Sequence, residues 1–169
     1  GFLGKEWHRK GGPFLLQIAD ILAKQGVPTV VRAIGPDPLQ LPSHPQLHPL
    51  GFINKRTEMS AFAQEVKSWH FGTLFSSIEA FGISNRECLR LGVPVLAAAI
   101  GGIPSTIPDQ GCGELFAADA SPQLVADWIM RRLSPYHGFL HWRDSLSQRS
   151  NEFSWASTIR RLDEILCLS

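Results

Sequence analysis

Residues 71–104 read FGTLFSSIEAFGISNRECLRLGVPVLAAAIGGIP. Phe71 to Ser77 is apolar and ends in polar punctuation, which predicts a strand. Asn85 to Leu91 predicts a short helix, closed by Gly92. Val93-Pro94-Val95-Leu96-Ala97 is a short apolar run of the kind a fully buried strand needs, and the glycine loop Gly101-Gly102-Ile103-Pro104 follows it. Strand, helix and strand in direct succession imply parallel strands with helices laid on the sheet.

The same alternation extends outward in both directions. Phe14, Leu15, Ile18, Ala19 and Leu22 recur at helical spacing, with Gly26 as a stop. Val27 to Ile34 reads as a strand broken by Gly35-Pro36, and Leu47 to Ile53 as another. Between Thr57 and Val66, helical spacing puts Met59, Phe62, Ala63 and Val66 on one face. Glu114-Leu115-Phe116 is the candidate last strand. Beyond Ser121 the pattern is helical. Leu124, Val125, Trp128, Ile129 and Leu133 make one face, and Trp155, Ile159, Leu162, Ile165 and Leu166 another. The expected fold is α/β, a Rossmann-like doubly wound parallel sheet of about six strands. In such sheets ligands sit beyond the carboxyl ends of the strands. That directs attention to the loops Gly4–Gly12, Gly35–Ser43, Gly51–Lys55, Ser76–Ser84 and Ala99–Thr106.

Composition narrows the class. The 169 residues suffice for one domain, and 44% hydrophobic with 18% charged residues is a globular balance. A net charge of +1 without a long basic run gives no reason to expect a nucleic-acid partner. The longest apolar run, Val93 to Ile100, falls far short of the roughly 20 residues that cross a bilayer, so no transmembrane segment is expected. Three cysteines, odd in number and without metal-ligand spacing, fit a reduced, cytoplasmic protein. Gly1-Phe2-Leu3-Gly4 reads as the end of a strand entering a glycine turn, and the expectation is a domain cut from a longer protein.

Three loops carry candidate chemistry, each with a plainer alternative. Gly4-Lys5-Glu6-Trp7-His8-Arg9-Lys10-Gly11-Gly12 sets cations and glycines just before a helix, which suits a phosphate; it reads equally as a solvated basic loop. In Ser76 to Glu87, Glu79 falls in a loop after a strand and Glu87 about one turn into the next helix, with Ser84 or Asn85 as the expected N-cap. Two carboxylates there could grip sugar and ribose hydroxyls, although Glu87 also reads as an acid favoured by the helix dipole. Gly101-Gly102 would let backbone approach a ligand closely, or form an ordinary turn. His44 and His48 are interrupted by Pro45 and Pro49, and no metal site is expected. Neither a Gly-x-Ser-x-Gly elbow nor a Gly-x-Gly-x-x-Gly fingerprint is present. The five tryptophans, Trp7, Trp69, Trp128, Trp142 and Trp155, read as core or domain-edge residues.

Taken in order, these pieces resemble the C-terminal, donor-binding domain of retaining GT-B glycosyltransferases with the Glu-x7-Glu motif, in the glycosyl transferases group 1 family. The matching stretches are Gly4-Lys5, Arg9-Lys10-Gly11-Gly12, Ile34-Gly35-Pro36, Leu50-Gly51-Phe52-Ile53, Ser77 through Glu87, Gly92 to Ala97, and Gly101 to Pro104. The resemblance implies the C-terminal half of a GT-B fold over residues 1–169. It implies a hexosyltransferase-type enzyme that binds a nucleotide-diphosphate sugar and transfers the sugar without cofactor or essential metal. Lys10 and Glu79 would be its catalytic residues, Lys10 on the diphosphate and Glu79 on the transferred sugar. Lys5 would contact the phosphates, Arg9 and Gly35 would be further substrate-binding residues, Phe52 and Ile53 would border the base, Phe81, Gly82, Ile83 and Ser84 the sugar and diphosphate, and Glu87 the ribose. Ser105 departs from the family's glutamate after Gly-Gly-Ile-Pro. The carbohydrate or lipid-linked acceptor would bind an N-terminal domain of the same protein, which would also carry any membrane association, leaving the isolated domain inactive. A non-catalytic nucleotide-binding module and a sugar-nucleotide epimerase of the same architecture are the alternatives. An exposed apolar patch is expected near Trp7 or the C-terminal helix.

Overall fold

The computed structural model describes residues 1–167. In chain order the elements are β1 (Phe2–Leu3), α1 (Gly12–Lys24), β2 (Val31–Ile34), β3 (Leu47–Gly51), α2 (Met59–Lys67), β4 (Gly72–Leu74), α3 (Ile83–Arg90), β5 (Val95–Ala98), β6 (Gly113–Phe116), α4 (Pro122–Leu133), α5 (Tyr136–Gln148) and α6 (Trp155–Cys167). The six strands form one sheet in the order β3-β2-β1-β4-β5-β6. Every pairing is parallel. Strand order reverses between β1 and β4, so the loops leaving these two strands flank the switch point where such sheets bind ligands.

Side-chain alternation builds a core on each face. Val95 and Ala97 join Phe62, Val66 and Leu89 of α2 and α3, whereas Leu96 between them joins Ile18, Leu22, Val125 and Ile129 of α1 and α4. All four residues of β5 are buried, as a central parallel strand requires. Burying each such leucine or valine contributes roughly 1.5–3 kcal/mol. Trp142 lies at the aromatic end of the second core and donates through Nε1 to Gly111 O at 2.9 Å.

Several elements differ in extent from their sequence expectation. Residues 27–30 do not extend β2: Val27 N donates to Leu22 O at 2.9 Å and closes α1, with Gly26 left-handed at φ 79°. Val93 likewise belongs to the end of α3 rather than to β5, because its N–H donates to Cys88 O beside left-handed Gly92. The strand expected to reach Ser77 stops at Leu74, and Ser77 N pairs instead with Arg9 O at 2.9 Å. In α4, Ser121 accepts from Leu124 N at 3.2 Å, which caps the helix where the pattern begins. Of the last apolar face, Trp155 and Ile159 are exposed, while Leu162, Ile165 and Leu166 lie outside the described side chains. Trp7 is buried, so it cannot contribute the expected patch. Trp155, at the start of the C-terminal helix, is exposed as expected and lines one 320 Å³ pocket beside α3 together with the exposed Met59, Phe81 and Ile83. No helix among the described residues is long and apolar enough to cross a membrane.

Candidate functional site at the strand order reversal

The loop after β1 is wound tightly. Lys10 N donates to Glu6 O, Gly11 N to His8 O and Gly12 N to Trp7 O. Gly11, left-handed at φ 82°, is the N-cap of α1. A Cβ there would lie 2.3 Å from Phe75 O, so only glycine lets the loop after β4 come this close. Glycine at position 4 leaves room for the Lys10 stem, which a Cβ would meet at 2.4 Å.

These two loops bring Lys10 and Glu79 together. Lys10 Nζ donates to Glu79 Oε2 at 2.9 Å, with both side chains mostly buried. Ser76 Oγ donates to the same oxygen at 3.4 Å. Burial by itself would push the Glu79 carboxyl up. The hydrogen bond and charge of Lys10, with the charge of Arg9, outweigh burial and hold it below the ordinary carboxylate range. Arg9 is largely committed within the loops. Its guanidinium donates to Ile78 O at 2.7 Å, pairs with Glu6, and lies 3.6 Å from Glu79.

Helix α3 starts two residues earlier than its pattern predicts, and neither Ser84 nor Asn85 caps it. Gly82, left-handed at φ 84°, is the N-cap and supplies no side chain. Asn85 is buried and donates to Thr106 Oγ1 at 3.0 Å, which ties α3 to the loop after β5. Ser84 is also buried, and its Oγ has no hydrogen-bond partner among the described residues. Neither α1 nor α3 has a side-chain cap or an acidic residue in its first turn. Both helices therefore set positive dipole ends beside the switch point; in α1, Gly12 N is already paired with Trp7 O and Pro13 has no N–H, so free N–H groups come chiefly from the first turn of α3.

Gly101 and Gly102 do permit a close approach, but to the chain itself. Cβ atoms at these positions would lie 2.0 Å from Glu79 O and 2.1 Å from Ala80 O. Gly102 N donates to Glu79 O at 3.3 Å.

The remaining candidates occupy the rim. Gly35, at φ 112°, lets the loop after β2 touch Gly4, whose carbonyl oxygen a Cβ would meet at 2.7 Å. Lys5 Nζ lies 5.1 Å from the centroid of Phe52, which is 66% exposed. Ile53 packs against the core. Phe81 and Ile83 are exposed beside Glu87, which lies inside α3 as expected. Glu87 pairs with Lys55 from the loop after β3, a contact that sequence reasoning did not foresee.

The sequence profile of glycosyl transferases group 1 matches residues 7–136, well over half of the chain. The chain belongs to the glycosyl transferases group 1 family. Among curated relatives of this family member, a D-inositol 3-phosphate glycosyltransferase of Frankia alni is 35% identical over 89 residues, 50% of this chain and 21% of that protein. Another, of Streptosporangium roseum, is 26% identical over 152 residues, 88% of this chain and 29% of that protein. The chain thus spans between about a fifth and a third of the length of these relatives. Among solved structures, Anabaena HepE in complex with UDP-glucose matches with a TM-score of 0.71 at 17% identity, covering 99% of this chain and 49% of that one. WaaG, a glycosyltransferase involved in lipopolysaccharide biosynthesis, matches with a TM-score of 0.67 at 20% identity, covering 89% and 42%. At these identities the structural likeness shows a shared fold, the Rossmann-like α/β fold of GT-B glycosyltransferases.

Proposed function

We propose that this group 1 glycosyltransferase chain binds a nucleoside-diphosphate sugar at the switch point and serves a retaining, hexosyl-type transfer to a carbohydrate or lipid-linked acceptor. The observation that carries the proposal is the meeting of Lys10 and Glu79 between two helix N-termini without side-chain caps. A diphosphate needs fixed positive charge and N–H donors; Lys10 and the dipole ends of α1 and α3 supply the charge, and the first turn of α3 supplies N–H donors. Lys10 gives up part of its bond to Glu79 when a phosphate arrives. Glu79 then accepts from a sugar hydroxyl and faces the positive charge that develops at the anomeric carbon. As the glycosidic bond breaks, negative charge grows on the diphosphate, and preorganised donors stabilise it without reorganising. The Ser84 hydroxyl, buried without a partner among the described residues, is a further donor for that ligand. Lys5, Arg9, Gly35, Phe52, Ile53, Phe81, Gly82 and Ile83 complete the site, and Glu87 takes the ribose. No cofactor or metal enters this scheme.

The chain covers 49% of HepE and smaller shares of its curated relatives. We place the acceptor on a second, N-terminal domain of the whole protein, so the chain alone binds donor without turning it over. HepE has been solved with UDP-glucose, which supports a nucleotide sugar as the ligand class here. Calorimetric titration of the chain with a panel of nucleoside-diphosphate sugars and their nucleoside diphosphates tests the reading. One-to-one binding of at least one such pair is expected, and failure of the whole panel to bind overturns it.

A further inference from the structure

Lys55 sits in a turn whose backbone is held by its own hydrogen bonds. Its loop is a closed turn in which Asn54 O accepts from Thr57 N at 3.1 Å and from Glu58 N at 2.7 Å. Asn54 Oδ1 accepts from Arg56 N at 3.1 Å, and Glu58 Oε2 accepts from Asn54 N at 3.1 Å. The Lys55 ammonium lies 4.5 Å from the centroid of the buried Phe62 ring, a cation–π contact. From there Nζ donates to Glu87 Oε1. An ion pair between two free-swinging side chains contributes little, because ordering both costs entropy. Here the turn holds the lysine's backbone and the ring contact restrains its side chain, so part of that cost is met before the pair forms and its effect falls more on the glutamate.

We infer that Lys55 is a positioning residue that fixes the Glu87 carboxylate through Oε1 and leaves Oε2 as the acceptor for the 2′-hydroxyl of a ribose, making the site selective for ribo- over deoxyribonucleotides. The inference rests on the donor-site reading above. It has a chemical basis in acceptor capacity: a carboxylate has about four lone-pair sites, so one ammonium does not saturate it. A carboxylate without that anchor would swing among rotamers and lose the ordering on which discrimination of a single hydroxyl depends.

The test uses the 169-residue chain and two variants of the pair. Calorimetry with UDP, GDP and ADP identifies the tightest binder, whose 2′-deoxy counterpart is then titrated. The unaltered chain should prefer the ribo form by about tenfold, the worth of one hydrogen bond to a charged group. Lys55→Met keeps the stem over Phe62 and removes the charge, and the preference should fall to roughly threefold or less, about half that free energy. Glu87→Gln ends the ion pair from the other side and should lose the preference to a similar degree, while Lys55→Arg should retain most of it. If Lys55→Met weakens ribo and deoxy ligands alike and keeps the preference, the lysine supports only its loop; the inference then falls while the donor reading stands. If only Glu87→Gln loses the preference, the pairing is not its cause and the inference falls again. Failure of the unaltered chain to bind any of the three diphosphates overturns the donor reading and this inference with it.

Discussion

Lys10 and Glu79, 69 residues apart in sequence, close a 2.9 Å ion pair across the seam between β1 and β4. On the proposed donor reading the pair sets a competition, because a bound diphosphate and Glu79 would both claim the same ammonium. Lys10→Ala is expected to weaken nucleoside diphosphate binding by about tenfold to a hundredfold, the worth of a charge-assisted bond, while leaving the bare nucleoside nearly unaffected. Glu79→Ala should leave diphosphate binding intact or tighter, and remove the extra affinity contributed by the sugar. Titrating both variants with nucleoside, diphosphate and nucleotide sugar separates the two roles. Equal losses for nucleoside and diphosphate in Lys10→Ala would mean that the lysine only shapes its loop.

Two left-handed glycines are expected to differ sharply in tolerance. Gly26 has φ 79° but open space around a Cβ, so Gly26→Ala should cost only the conformational term, about 1–2 kcal/mol. Gly11 has nearly the same φ, yet its Cβ would collide with the Phe75 backbone. Gly11→Ala should therefore cost at least about 3 kcal/mol, since backbone rather than a flexible side chain has to give way. Urea midpoints at unchanged m-value check the comparison. Similar midpoints for the two variants would show that the loops after β1 and β4 are not wedged together as described.

Acid should erase the advantage of one ion pair. The Arg32 guanidinium holds Glu65 below the ordinary carboxylate range, against a burial effect that raises it, with help from a 2.8 Å bond donated by Trp69 Nε1. A carboxyl depressed in the fold stabilises it fully above the unfolded-state value, and that contribution is lost as pH falls through the folded value. Arg32→Met should lower the melting temperature by roughly 2–6 °C at pH 7, after allowing for the partly exposed arginine. The gap between variant and parent should narrow as pH drops below about 4. Thermal scans across pH 3–8 show whether the gap closes; a constant gap would mean that Arg32 acts through packing alone.

Local signals in the sequence survive into the structure where the physics is local. Gly26 and Gly92 stop their helices, Ser121 caps α4, and the apolar pattern of 95–98 becomes a strand buried on both faces. Misreadings arise where distant chain decides. Ser84 and Asn85 look like N-caps, but left-handed Gly82 turns the chain sooner and Asn85 is drawn inward by Thr106. Gly101-Gly102 signals close approach correctly, yet nothing local says that the approaching backbone is that of Glu79 and Ala80. Lys55 pairs with a glutamate 32 residues away, and only its place in a strand-end loop could have marked it.

The stretch that carries Glu79 is clasped on both flanks, by Arg9 O accepting from Ser77 N and by Gly102 N donating to Glu79 O. A segment braced in this way has no separate folding event to complete when its ligand arrives. Encounter kinetics should then follow those of a rigid concavity, a single bimolecular phase whose rate scales with concentration and shows no saturating isomerisation. Any slow step in the working enzyme would then originate away from this segment.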